Sequence, residues 1–136
     1  MALQAFLKQN KVQAEEVLYP ASKAFLDEKG APMMWRLKPL KSRDADKIRK
    51  VCNSYGKGGK VSVDNAKFNR MVVVNCVVEP NLKDAELQDS YGVMGEEELV
   101  LEMLDNDGEY QALVKKCLQI SGYSQNDTEL VDEVKN

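Results

Sequence analysis

Apolar positions recur at helical spacing through most of the second half of the chain, whereas one short stretch of the first half alternates residue by residue. From Met33 to Leu40, Trp35 and Leu37 fall on one side and Arg36 and Lys38 on the other, the pattern of a strand with one covered face. Val12 to Leu26 has little helical periodicity, and Pro20 removes a ladder donor, so this run reads as an edge strand. Asp27-Glu28-Lys29-Gly30-Ala31-Pro32 lies between the two runs and has the chemistry of a turn. A β-hairpin over roughly 14–40 follows. Ahead of it, Ala2 to Gln9 puts Leu3, Phe6 and Leu7 on one side of a short helix, an arm that packs on its own body or against a second copy.

The remainder reads as helices. Ser42 is a good N-cap for Arg43 to Tyr55, with Ala45, Ile48, Val51 and Cys52 inward. Gly56-Lys57-Gly58-Gly59-Lys60 then predicts a flexible surface loop. Asp64 can cap Asn65 to Val78, a segment that Pro80 ends. Its valines favour a strand, but Phe68, Met71, Val72, Asn75 and Val78 fit spacings of three and four, and the local pattern leaves both open. Two short helices follow between Asp84 and Leu104: Asp84 caps the first, Gly92 stops it, and Gly95 precedes Glu96, Glu97 and Glu98, whose charges suit the positive end of a helix dipole. Leu99, Val100, Met103 and Leu104 supply the stripe of the second. The last helix, Glu109 to Ser121, carries Tyr110, Leu113, Val114, Cys117, Leu118 and Ile120 and stops at Gly122.

The expected fold class is therefore α+β, predominantly α-helical, with the N-terminal hairpin packed on a bundle of about four to five helices. One domain should span 1–123, and residues 124–136 form an acidic tail, apolar only at Leu130, Val131 and Val134. An isolated hairpin is marginal in water, so Trp35 is expected to bury against the helices, the alternative being an aromatic that binds a partner. The linker Tyr91-Gly92-Val93-Met94-Gly95 presents the same choice: with Leu87 it can lock two helices together or face a partner.

Composition narrows the chemistry. A 136-residue chain suits one domain, and 43% hydrophobic with 30% charged residues is ordinary for a globular protein. Only 7% aromatic residues, a net charge of -3 and a pI of about 5.1 argue against a nucleic-acid binder. There is no histidine, which removes the commonest general base and zinc ligand, and Cys52, Cys76 and Cys117 read as reduced core thiols. The Gly-Lys loop lacks P-loop spacing, and Asp105-Asn106-Asp107-Gly108 places its glycine too early for a calcium loop, so both read as turns. No acid/base pair is recognisable, and neither enzyme activity nor a cofactor or metal is expected. No secretory signal or apolar stretch of membrane length is visible, which points to the cytoplasm.

The run from Asp84 to Gly95, followed by Glu-Glu-Leu and Met-Leu, resembles the XkdN-like tail assembly chaperones of contractile-tailed phages and defective prophages. The resemblance extends to Val78-Glu79-Pro80-Asn81-Leu82, to Gly108-Glu109-Tyr110 and to the Lys29-Gly30-Ala31-Pro32 turn before Trp35, so it spans nearly the whole chain. It implies a helix, central and buried, for residues 65–78. It also implies a non-enzymatic helper that binds and shields the tape measure protein in the host cytoplasm, is absent from the finished particle, and has a second, frameshifted product. Self-association and contact with the tail-tube protein fit the same picture, and nucleic acid and membrane do not. A structural component of the tail and a small helical regulator of protein or nucleic acid are the alternatives. The expected contact residues are Leu87, Tyr91, Val93 and Met94, with Trp35 as a further candidate.

Overall fold

The computed structural model describes residues 2–123, so the expected acidic tail lies outside the described residues. Helix α1 (Ala2–Phe6) leads through a short turn to strands β1 (Val17–Tyr19) and β2 (Trp35–Leu37). Helix α2 (Ser42–Cys52), strands β3 (Asn53–Tyr55) and β4 (Val61–Val63), helix α3 (Asn65–Cys76) and strand β5 (Val77–Glu79) follow. Helices α4 (Ala85–Ser90), α5 (Glu96–Met103) and α6 (Asp107–Ile120) complete the order. The predominantly helical α+β class is as expected.

Helix α3 is the centre. Asp64 caps it, its carboxylate accepting from the Lys67 amide at 3.0 Å, and α2, α5 and α6 all pack on it. Val72, Val73 and Cys76 are fully enclosed, together with Leu99, Val100, Leu113 and Cys117 from the helices around them. The helix stops two residues short of the expected Val78. Val77 to Glu79 instead form β5, because Pro80 disfavours helical backbone before it and the free edge of β2 is at hand: the Lys38 amide donates to the Cys76 carbonyl at 2.8 Å. Both propensities of the valine run are thus used, one after the other.

The sheet has the antiparallel order β1-β2-β5. Val17 faces Leu37 and Tyr19 faces Trp35, while Leu37 also pairs with Val77. The hairpin is present with β1 at the edge, but its strands are three residues long and the connection is a folded excursion. Within that excursion Asp27 accepts from the amides of Lys29 and Ala31, and Gly30 takes a left-handed φ of 82°. Trp35 and Leu37 point inward as the alternation requires, and Phe25 leans on the Trp35 ring at 6.4 Å between centroids.

Two carboxyl and hydroxyl groups fasten the sheet side of the molecule to the two ends of α6. In its first turn, Glu109 accepts from the Ser22 hydroxyl and the Lys23 amide, each at 2.8 Å. At its end, the Ser121 hydroxyl accepts from the Leu40 amide at 2.9 Å and donates to the Cys117 carbonyl at 2.7 Å. The bonds to Ser22, Lys23 and Leu40 link residues more than 80 positions apart, which no periodicity reveals.

Three further expectations are corrected. Ser42 is the first helical residue of α2 and not its cap, a position held by Lys41 without a side-chain bond. Val51 is 55% exposed, because it lies about 100° round the helix from Cys52, off the Ala45, Ile48, Cys52 stripe. The helix also ends at Cys52, and the expected loop at 56–60 is the tip of a two-stranded ribbon, β3 paired with β4. Helix α1 buries none of its residues, and Leu3 and Phe6 stay exposed.

Leu113→Ala should lower the unfolding free energy by about 2–5 kcal/mol in chemical denaturation, since Leu113 is wholly enclosed between helices. Glu109 is held below its usual 4.5, first by the Lys23 amide and then by the Ser22 hydroxyl. A lowered carboxyl contributes stability above its unfolded value and loses it as the pH falls through the folded one. Glu109→Gln should therefore be less stable than the parent at neutral pH, and the two denaturation curves should converge as the pH drops below about 4.5.

Candidate partner-binding site

The joint between α4 and α5 is built from three local devices. Asp84 caps α4 by accepting from the Leu87 amide at 2.9 Å, Gly92 turns the chain with φ 66°, and Gly95 re-enters helix with φ 105° and ψ 156°. Gln88 holds the loop closed: its side-chain Oε1 accepts from the Gly95 amide at 3.1 Å, and its side-chain Nε2 donates to the Leu82 carbonyl at 2.8 Å. The Val93 amide adds a bond to the Gln88 main chain at 3.1 Å. Gln88 is the residue that inspection of the chain missed, because a lone glutamine inside a short helix carries no periodic or capping signal.

The expected site residues divide sharply. Leu87, Tyr91 and Val93 are half-buried and pack against the core, so they lock the joint. Trp35 is 2% exposed, which is the packing alternative, and it lies in the core away from solvent. Met94 is 92% exposed at the tip of the joint. Beside it runs a cleft of about 980 Å³ between the outer face of α3 and the first turn of α5. Met71, Val74 and Leu82 supply apolar lining, Lys67 and Lys83 supply cations, and Glu96 to Glu98 supply carboxylates. Arg70 donates to Glu97 at 3.3 Å, tying α5 to α3 within it.

Among the described residues no group of histidine, cysteine, aspartate and glutamate is placed to hold a metal ion. The three cysteines are free and buried. The Cys117 thiol is pushed up by its hydrogen bond to Cys76 and by burial, and burial also pushes up Cys52, so neither is an activated nucleophile. Among the described residues, no helix is long and apolar enough to cross a membrane. A mobile thioether at the mouth of a cleft with both charge signs can accept one amphipathic segment after another with little adjustment.

The sequence model of the family described as phage XkdN-like tail assembly chaperone protein matches residues 3–135. The chain belongs to the XkdN-like phage tail assembly chaperones. It is similar to the phage-like element PBSX protein XkdN of Bacillus subtilis strain 168, at 26% identity over 98% of this chain and 93% of that one. The uncharacterized protein YqbN of the same strain is 28% identical over the same shares. A crystal structure of YqbN superposes with a TM-score of 0.76 at 26% identity, covering 88% of this chain and 95% of that one. Membership of the family implies protein partners in tail assembly.

Gly95→Ala should lower stability by about 1–3 kcal/mol, because φ 105° with ψ 156° is accessible almost solely to glycine. No heavy atom lies within 4 Å of the added methyl group, so the loss seen by thermal or urea denaturation comes from backbone strain.

Proposed function

We propose that this chaperone binds and shields the tape measure protein during tail assembly, without catalysis and in the cytoplasm of the host, and leaves before the particle is finished. Membership of the tail assembly chaperones supplies the setting. The observation that carries the contact is Met94, 92% exposed on a joint whose other apolar residues are spent on the core. A tape measure is a long chain with an apolar helical stripe that self-associates when bare. An amphipathic helix laid along the cleft would put its stripe on Met94, Met71 and Val74 and its charges on Lys67, Lys83 and Glu98. Many copies along one filament would hold by avidity, each weak enough to be displaced by tail-tube subunits.

The test is co-expression with the tape measure protein from the same genome, followed by affinity capture and size-exclusion chromatography. A soluble complex is expected, with the tape measure insoluble when expressed alone. Met94→Asp should cut the captured fraction at least several-fold while leaving the melting temperature within a few degrees, since an exposed side chain contributes little to folding. Tyr91→Ala should do the reverse, lowering stability while keeping capture per folded molecule. A tape measure equally soluble with and without the chaperone, and not captured by it, would remove this reading and favour a structural component of the tail.

A further inference from the structure

The β3–β4 ribbon turns an apolar face to water. None of its six residues is buried, and the register sets Tyr55 opposite Val61 and Asn53 opposite Val63. Tyr55, Val61 and Val63 therefore share one face, at 77%, 55% and 48% exposure. A two-stranded ribbon is marginal by itself in water, so a cover on that face stabilises it. Beside it, Arg43, Lys47 and Lys50 stand exposed at spacings of four and three, a cationic stripe on the outside of α2. Residues 41–60 contain seven Lys and Arg against two Asp, and one of those two, Asp46, is already paired with Arg49 at 3.0 Å.

The chain leaves the described fold at this same helix. Gly122 turns after α6 with φ 99°, the Tyr123 amide donates to the Leu118 carbonyl at 3.1 Å, and the Tyr123 hydroxyl accepts from Arg49 Nη2 at 3.1 Å. Residues 124–136 follow, outside the described residues, with Asp127, Glu129, Asp132 and Glu133 against Lys135 alone. Leu130, Val131 and Val134 stand among those carboxylates. The opposite charge and the apolar positions match what the stripe and the ribbon expose. Reach is sufficient as well. Tyr55 lies three helical and three strand residues beyond Arg49, about 14 Å along the chain, whereas the stretch from Tyr123 to Val134 spans up to about 36 Å when extended.

We propose that residues 124–136 cross the cationic stripe of α2 and lie on the ribbon of their own chain. Asp127 and Glu129 meet Arg43, Lys47 and Lys50, and Leu130, Val131 and Val134 cover Tyr55, Val61 and Val63. The ribbon is then a second interaction surface, apart from the α4–α5 joint and matched to an acidic segment with apolar residues interspersed. Tethering at Tyr123 gives the segment a high effective concentration on this face, so individually weak contacts hold it. A partner of the same chemistry reaches the ribbon only by displacing it, and this end of the molecule stays covered while the joint is free to bind. The assignment is independent of the tape measure reading.

Hydrogen exchange of the full chain alone tests this. In D127K/E129K/D132K/E133K the ribbon amides, residues 53–63, should exchange about fivefold faster or more than in the parent. Those around Val72 and Val73 should stay as slow as before, which shows that the bundle is folded. Adding R43E/K47E/K50E to that variant makes the charges opposite again and should bring the protection back. Equal ribbon exchange in the parent and the reversed variant, or no recovery in the combined one, would overturn the proposal. The parent chain supplies a second measurement: carbodiimide coupling of lysine amines to carboxyls, on an equal mixture of unlabelled and heavy-nitrogen-labelled chains. Links from Lys47 or Lys50 to Asp127 or Glu129 are expected, each within a chain of one isotope. Links that join the two isotopes assign the face to a second copy. A ribbon that forms no such links, and gains protection only when the tape measure protein is added, belongs to that client. Either outcome overturns the proposal.

Discussion

Burial of the α3 face that carries Val72, Val73 and Cys76 is the constraint on which the rest depends. Val72, Val73 and Cys76 are fully enclosed, and β5 begins at the very next residue. The helix that centres the bundle therefore runs without a linker into the strand that completes the sheet. Displacing one displaces the other, so bundle and sheet share a core from Trp35 and Leu37 to Leu113 and Cys117. Glu109 and Ser121 reinforce this at the two ends of α6 with charged and neutral hydrogen bonds to the sheet side.

What the core consumes decides what is left for partners. Leu87, Tyr91 and Val93 pack inward, Gln88 closes the loop, and the two glycines carry backbone angles that other residues resist. The joint is held rigid, and Met94 is pushed out at its tip by those same bonds. A rigid mount for one adaptable side chain lowers the ordering cost of binding without fixing the partner's sequence. For a tail assembly chaperone, whose proposed client is a long and repetitive apolar surface, tolerance of that kind is more useful than a tight fit.

Much of the fold was legible because its devices are local. Asp64 and Asp84 cap, Gly92 and Gly95 break, and the 3–4 spacing of Leu99, Val100 and Met103 makes a buried stripe. The alternation at Trp35 and Leu37 located β2 for the same reason. The ribbon was not legible, since Asn53, Ser54 and Tyr55 continue a helical pattern and a Gly-Lys tip resembles any loop; only pairing with Val61 to Val63 makes them strands. Val77 to Glu79 was decided by the neighbouring edge of β2, a partner 40 residues away in the chain. Within the site, residue type pointed to the joint, but which of Leu87, Tyr91, Val93 and Met94 faces water depends on Gln88, whose bonds have no sequence signature.

Hydrogen exchange by mass spectrometry, on the chaperone alone and with the proposed tape measure client, tests the account most directly. The predicted result is added protection of the backbone amides at Val93 to Glu97 and along the cleft-facing turns of α3, with the slowest amides around Val72 and Val73 unchanged. Protection confined to the N-terminal arm or the ribbon, with the joint exchanging as before, would contradict it.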